Sequence, residues 1–197
     1  MSFKVPLTEL KSRMTKFRTQ MDKANPEWKL AAIFSKINLY YFTGTMQEGM
    51  LLIPRNSEAV LWVRRSYERA KDESLFEQIM PMDGFRDAAS SVPVLPGEIY
   101  LETEFIPIAF LKRFQKYFPI DNVCSLEPVV SMIRSVKSDY ELQIMIKSGE
   151  LHRRLLEEIV PQLLCEGMSE VDLAGRLYEQ MLQLGHHGVA RFGMFDT

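Results

Sequence analysis

The side chains able to do chemistry in this sequence are few and scattered. Glu102-Thr103-Glu104 sets two carboxylates two residues apart, directly after the run Glu98 to Leu101. If that run is a strand, alternation turns both acids to one face, as an acid–base pair would require. The favoured reading is plainer, a solvated strand end before a loop. Arg64-Arg65 could clamp a carboxylate, because a guanidinium fork matches one bidentately; a surface pair facing solvent or a subunit interface is the favoured alternative. His186-His187 are adjacent and can hardly reach one ion together, and no carboxylate stands at the i+3 or i+4 spacing of a helical zinc motif. They follow a helical pattern at its C-terminal end, where an imidazolium suits the helix dipole. His152, beside Arg153 and Arg154, reads as a solvated side chain. Cys124 and Cys165 have no neighbouring histidine, and the chain holds neither a Gly-Xaa-Ser-Xaa-Gly elbow nor a Gly-rich phosphate loop.

Composition narrows the classes further. The 197 residues are 46% hydrophobic and 25% charged, ample for one large domain or one domain with part of another. A net charge of −2 supplies no basic field for nucleic acid or an anionic membrane. Two cysteines with no metal-ligand or redox spacing suit a reducing compartment. The N-terminus, MSFKVPLTELKSRM, lacks the apolar core of a signal peptide, and no window of roughly 18 apolar residues appears. The expectation is a soluble, cytoplasmic protein without nucleic-acid or membrane partners.

The elements that must position these groups can be read from periodicity. Leu10, Met14, Phe17 and Met21 recur in steps of four and three, which predicts a helix over Leu7 to Lys23 with Lys and Arg on its far face. Thr8 is its expected N-cap and Asn25-Pro26 its end. WKLAAIF, Trp28 to Phe34, reads as a buried strand, and Leu39 to Phe42 as a further extended aromatic piece ahead of the Thr43-Gly44-Thr45 corner. Met50 to Pro54 and Ala59 to Val63, separated by Asn56-Ser57, read as a hairpin. A helical stretch over Arg64 to Asp72, a Pro96-Gly97 turn, a strand at Glu98 to Leu101, a helix over Ile106 to Tyr117 and a short strand at Asp121 to Leu126 complete an α/β domain over residues 1–132, a layered sheet flanked by helices. From residue 133 the pattern turns helical. Ser138-Asp-Tyr-Glu141 is a capping box, and Ser169-Glu-Val-Asp172 opens a second helix that ends at Gly185. Leu142, Met145, Ile146, Leu155, Leu156 and Ile159 are expected to form the buried stripe of the first helix, with a kink at Pro161. Val171, Ala174, Leu177, Met181 and Leu182 do the same for the second. The pair over 133–197 is too small to fold alone.

The order NLYYFTGT, LLIPRNSEAVLWVRRSYERA, IRSVKSDYELQIMIKSGELHRRLLEEIV and EGMSEVDLAGRLYEQMLQLGHHG resembles the Xaa-Pro aminopeptidase, prolidase and creatinase family over nearly the whole chain. The resemblance implies a creatinase-like N-terminal domain followed by the first two helices of a "pita-bread" catalytic domain. It implies hydrolysis of short proline-containing peptides by a full-length parent, with two divalent ions, manganese, cobalt or zinc, held by two Asp, one His and two Glu. Those ligands are expected after Gly185 and beyond Thr197, in a truncated form, so no catalytic or metal residue is assigned to this chain. In the family the region of Arg64 approaches an adjacent subunit's active site, which makes Tyr41, Thr43 and Arg64 candidates for the substrate rim and implies a homodimer or higher oligomer. At GVARFGMFDT, Arg191 and Asp196 stand where the family commonly has apolar residues. Two other readings stay open: a non-catalytic α/β association module, supported by exposed-capable aromatics and 12 methionines, and the N-terminal part of a creatinase-like C–N hydrolase working without metal.

Overall fold

A computed structural model describes residues 4–92 and 97–186. Pro96 of the expected turn, His187, Arg191 and Asp196 lie outside the described residues. The chain divides into two compact units, Met1–Val136 and Lys137–Thr197.

The first unit is an α/β domain whose four central strands are apolar and buried on both faces, while its two edge strands are partly exposed. Its elements, in chain order, are α1 (Leu7–Ala24), β1 (Leu30–Ile33), α2 (Lys36–Thr43), β2 (Gly49–Pro54), β3 (Val60–Val63), α3 (Tyr67–Glu73), β4 (Ile79–Pro81), α4 (Phe85–Ser90), β5 (Glu98–Leu101), α5 (Ile108–Gln115), β6 (Asn122–Ser125) and α6 (Glu127–Ser135). They build one six-stranded sheet of order β4-β3-β2-β1-β5-β6. β2 runs antiparallel to both neighbours, and the β3–β4, β1–β5 and β5–β6 pairs are parallel. Alternation along each strand sends side chains into two separate cores. Ala31, Ile33, Leu51, Ile53, Leu61 and Val63 meet Phe17 and Met21 of α1, Leu39 and Phe42 of α2, and Val129, Val130 and Ile133 of α6. Ala32, Met50, Leu52, Trp62, Ile99 and Leu101 meet Ala88 of α4 and Phe114 of α5. Phe34 closes the second core, edge-on to Phe85, Phe110 and Phe114 at ring-centroid distances of 6.2, 5.0 and 5.6 Å.

The predicted helix α1 forms with Leu10, Phe17 and Met21 buried, but Pro6 rather than Thr8 stands at its N-cap. One of its cations also defies the amphipathic reading. Arg13 is only 4% exposed, because Glu9 lies 2.7 Å from its Nε and its Nη1 donates to the Tyr41 carbonyl at 2.8 Å. The hairpin forms as expected, with Leu52 opposite Val60 and Gly49 opposite Val63.

The largest difference lies in NLYYFTG. It is not extended but the helix α2, ended by Gly44 in the left-handed conformation at φ +79°. Adjacent aromatics favour strands, and an eight-residue helix has little intrinsic stability, so tertiary contacts decide. Phe42 is wholly buried and lies edge-on to Phe17, with ring centroids 5.4 Å apart. Glycine at position 44 answers to backbone conformation rather than to crowding, since an added Cβ would meet only ordinary contacts at 3.6 Å and beyond.

The second unit begins with α7 (Asp139–Arg154), whose capping box is present as expected: Ser138 accepts from the Glu141 N–H and Glu141 from the Ser138 N–H. A π-helical turn over Leu155–Ile159 follows, then α8 (Val160–Leu163). The widened turn accommodates Pro161, which has no N–H to give and whose ring would strike a carbonyl one α-turn earlier. α9 (Glu170–Gln183) carries the second capping box, Ser169 with Asp172. The expected buried stripes do not form. Leu155 is buried, whereas Leu142, Met145, Ile146, Leu156, Val171 and Leu182 are exposed. No described helix is long and apolar enough to cross a membrane.

Two glycines separate strain from crowding. A methyl group at Gly49 would fall 2.2 Å from the Trp62 carbonyl oxygen across the β2–β3 pair, so the backbone itself must move. Gly44→Ala is expected to cost about 1–2 kcal/mol in urea denaturation, the ordinary cost of a left-handed alanine; Gly49→Ala should cost more, and the reverse order would refute this account.

Candidate functional site

The sheet reverses direction between β1 and β5. From β1 the chain crosses to α2 on one face and builds the sheet outward through β2, β3 and β4; from β5 it crosses to α5 on the other face and adds β6. Adjacent parallel strands whose connections leave in opposite directions open a crevice at their C-terminal ends, where ligands of open α/β sheets bind. Here those ends are Ile33 and Leu101, and Phe34, Ser35, Asn38 and Glu102 meet just beyond them.

Glu102 follows the last residue of β5 and is 2% exposed. Its Oε2 accepts the backbone N–H groups of Phe34 at 2.6 Å and Ser35 at 2.7 Å, and its Oε1 accepts Nδ2 of Asn38 at 2.6 Å. These donors belong to the entry and first turn of α2, where free N–H groups and the helix dipole favour an anion. Asn38 is used at both ends, because its Oδ1 accepts Nη1 of Arg134 at 2.9 Å. A negative carboxylate and a positive guanidinium are thus joined through one amide. The Tyr41 ring stacks against cations, with Arg13 at 4.2 Å and Arg134 at 6.0 Å from its centroid. Burial is the largest influence on Glu102 and pushes its carboxyl above the ordinary value of 4.5; the donors at Ser35, Asn38 and Phe34 oppose that rise, and nearby Glu127 adds to it.

The acid–base pairing considered for Glu102 and Glu104 does not form. Glu102 turns inward under α2, while Glu104 sits exposed in the following turn, its N–H donating to Glu127 Oε1 at 2.6 Å. The signal that could have found Glu102 is its position: a carboxylate one residue past a parallel strand, level with the start of the next strand's helix.

The proposed rim residues occupy three different settings. Thr43 is wholly buried and its hydroxyl donates to the Leu39 carbonyl at 2.6 Å. Tyr41 is 6% exposed. Arg64 is accessible, and its Nη1 lies 3.1 Å from Glu48, whose other oxygen is 3.7 Å from Arg65. The corner after α2 is tied down by α3: Thr45 and Gln47 donate to Glu73 at 2.9 and 3.1 Å, and Ser74 donates to the Thr43 carbonyl. Partial burial works to raise the Glu73 carboxyl, but hydrogen bonds from Gln47, Arg69 and Thr45 outweigh it and hold the group below its ordinary value.

Elsewhere, Tyr100 lies buried beside Glu98 and Cys124. Burial, then the Glu98 carboxylate, push the tyrosine hydroxyl well up; the same two influences raise the Cys124 thiol and so disfavour a reactive thiolate. His152 is exposed and its Nδ1 is 2.8 Å from the Ser148 carbonyl oxygen. Among the described residues no three His, Cys, Asp or Glu side chains stand close enough to hold a metal ion, so the two-ion centre implied by the resemblance does not fit these residues.

A six-stranded mixed sheet with helices on both faces, reversing at β1/β5, defines the class, and comparison gives the family. Residues 13–136 match the creatinase/prolidase N-terminal domain, and the chain belongs to that family. An uncharacterized peptidase of Staphylococcus aureus strain bovine RF122 is 26% identical over 191 residues, covering 93% of this chain and 53% of the relative. The chain therefore spans about half the length of the curated relatives it matches. The prolidase of Pyrococcus horikoshii superposes with a TM-score of 0.75 at 24% identity, over 89% of this chain and 50% of the other. The Xaa-Pro dipeptidase of Bacillus anthracis gives 0.78 at 18%, over 90% and 50%. The creatinase/prolidase N-terminal domain of a Streptococcus pyogenes X-Pro dipeptidase gives 0.51 at 18%, over 61% and 97%. The chain thus resembles the N-terminal part of prolidases and Xaa-Pro dipeptidases.

The raised Glu102 group has a definite consequence. Folded Glu102 binds its proton more tightly than unfolded Glu102, so the proton-linked part of its contribution to stability is complete below about 4.5 and is lost as pH rises through the raised value, while the hydrogen bonds it accepts remain. Thermal melts across that interval should show wild type losing stability relative to Glu102→Gln as pH increases; parallel profiles would refute the assignment.

Proposed function

We propose that this chain acts as the N-terminal part of a Xaa-Pro dipeptidase-like hydrolase, framing a substrate site and supporting assembly rather than carrying the bond-breaking groups. The observation that carries this reading is the family match over residues 13–136. The described residues of that domain hold a structural carboxylate at the strand switch point, where a catalytic domain would offer an open crevice. In this reading the parent hydrolyses short proline-containing peptides with two divalent ions, manganese, cobalt or zinc, held by residues outside those described. The ions would polarise the scissile carbonyl and activate water. The chain associates as a homodimer or higher oligomer in a reducing cytoplasm, a setting supported by its two unpaired cysteines. Of the three rim candidates Arg64 is the accessible one, which supports a role in this reading of meeting a peptide carboxylate in exchange for Glu48, with the buried Tyr41 and Thr43 supporting the corner beneath.

The purified 197-residue chain, supplied with manganese, cobalt or zinc, is expected to leave a Xaa-Pro dipeptide uncleaved. Metal-dependent turnover above the protein-free control would overturn the assignment of catalysis to residues outside this chain. Light scattering over a range of concentrations is expected to return a mass of at least two chains, and a monomer at every concentration would remove the assembly role.

A further inference from the structure

The switch-point crevice has the components of an anion site: two backbone N–H groups at the entry to α2, an amide donor from Asn38, and a positive guanidinium behind that amide. In sheets of this kind such donors face a bound ligand. In this protein every one of those donors toward the crevice ends on Glu102. We propose that the crevice is a closed anion site whose permanent occupant is the chain's own Glu102 carboxylate, and that this internal ligand holds α2 in place and couples it through Asn38 to α6.

Three observations support occupancy by the side chain over occupancy by a free anion. Glu102 is 2% exposed, so no open path leads past it to the donors. Its two oxygens are divided between the backbone pair and Asn38, with all three contacts between 2.6 and 2.7 Å, at or below the short end of the range for charge-assisted N–H···O bonds. Asn38 has one amide orientation that satisfies both neighbours, Nδ2 toward Glu102 and Oδ1 toward Arg134. Reversing it would set an oxygen against the carboxylate and an NH2 against the guanidinium. The contacts therefore form a directed chain from α6 through α2 to the end of β5, and loss of its acceptor should be felt at both helices.

The test removes the occupant and supplies a substitute. Glu102→Ala deletes the CH2–COO⁻ group, for which acetate is the matching free anion. Melts of the 197-residue chain at neutral pH are expected to show the variant's Tm lowered by roughly 5–10 °C, from two stranded buried N–H groups. Added acetate should then raise it saturably, while chloride at equal ionic strength does not and wild type does not respond to either. A Glu102→Ala Tm within about 2 °C of wild type would overturn the proposal, as would an acetate shift equal in the two proteins. Should the variant not fold unaided, refolding in acetate is the measurement: a cooperative melt recovered in acetate and absent in chloride supports the proposal, and no recovery overturns it. Asn38→Ala keeps the occupant and loses one donor. It should show a smaller loss of Tm with no acetate response, and an unchanged Tm would overturn the coupling to α6. Inorganic phosphate added to wild type completes the set. No Tm gain is expected, whereas a gain abolished by Asn38→Ala would mean that a free anion displaces Glu102 and would overturn permanent occupancy.

Discussion

One buried carboxylate, Glu102, meets the start of a helix too short to stand alone. α2 has eight residues, three of them consecutive aromatics, and its N-terminal N–H groups would be orphaned at the end of a parallel strand. The carboxylate at the end of the neighbouring strand receives the N–H of the N-cap, Ser35, and that of Phe34 before it. Desolvating an acid is costly, and the donors together with the helix dipole offset that cost. With α2 so placed, Phe42 reaches Phe17, Tyr41 reaches Arg13, and Gly44 turns the chain toward α3. Much of the first core is assembled around that arrangement.

The same interaction accounts for the character of the domain. An open α/β sheet presents a natural ligand crevice at its switch point, and in this family member a side chain fills it. At the open end of the β2–β3 hairpin Arg64, Arg65 and Glu48 stand exposed as ion pairs. The domain shares its fold with the N-terminal parts of prolidases and Xaa-Pro dipeptidases.

The second unit poses a different physical problem. Its helices are well started, each by a reciprocal serine–carboxylate box, yet leave Ile144, Ile146, Leu156 and Val171 exposed. Capping satisfies backbone groups locally and is therefore legible in four residues of sequence. Burial of a stripe needs a partner surface, which periodicity can anticipate but cannot supply. The ion pairs of Arg153 with Glu150, Glu157 and Glu158 decorate the α7–π-turn surface, and exposed pairs of this kind contribute little each.

Local and periodic signals carried the stripe of α1, the hairpin, the strand Glu98 to Leu101, both capping boxes and the order of motifs that marks the family. The remaining features arise where a group distant in the chain overrides a local preference. NLYYF has strand-forming residues yet is helical, because Glu102, more than sixty positions away, accepts the Phe34 and Ser35 N–H groups just before the helix together with the Asn38 side-chain amide, and Phe17 packs edge-on to Phe42. Arg13 stands three residues after Leu10 and four before Phe17, at the flank of the α1 stripe, and it is buried there because Glu9 and the Tyr41 carbonyl satisfy its charge and its donors. Glu102 itself looked like a solvated strand end, since no property of the tripeptide Glu-Thr-Glu reveals that a helix begins on the adjacent strand. Hydrogen-bond partners distant in sequence leave no trace in periodicity, and at this switch point they determine both the fold and the site.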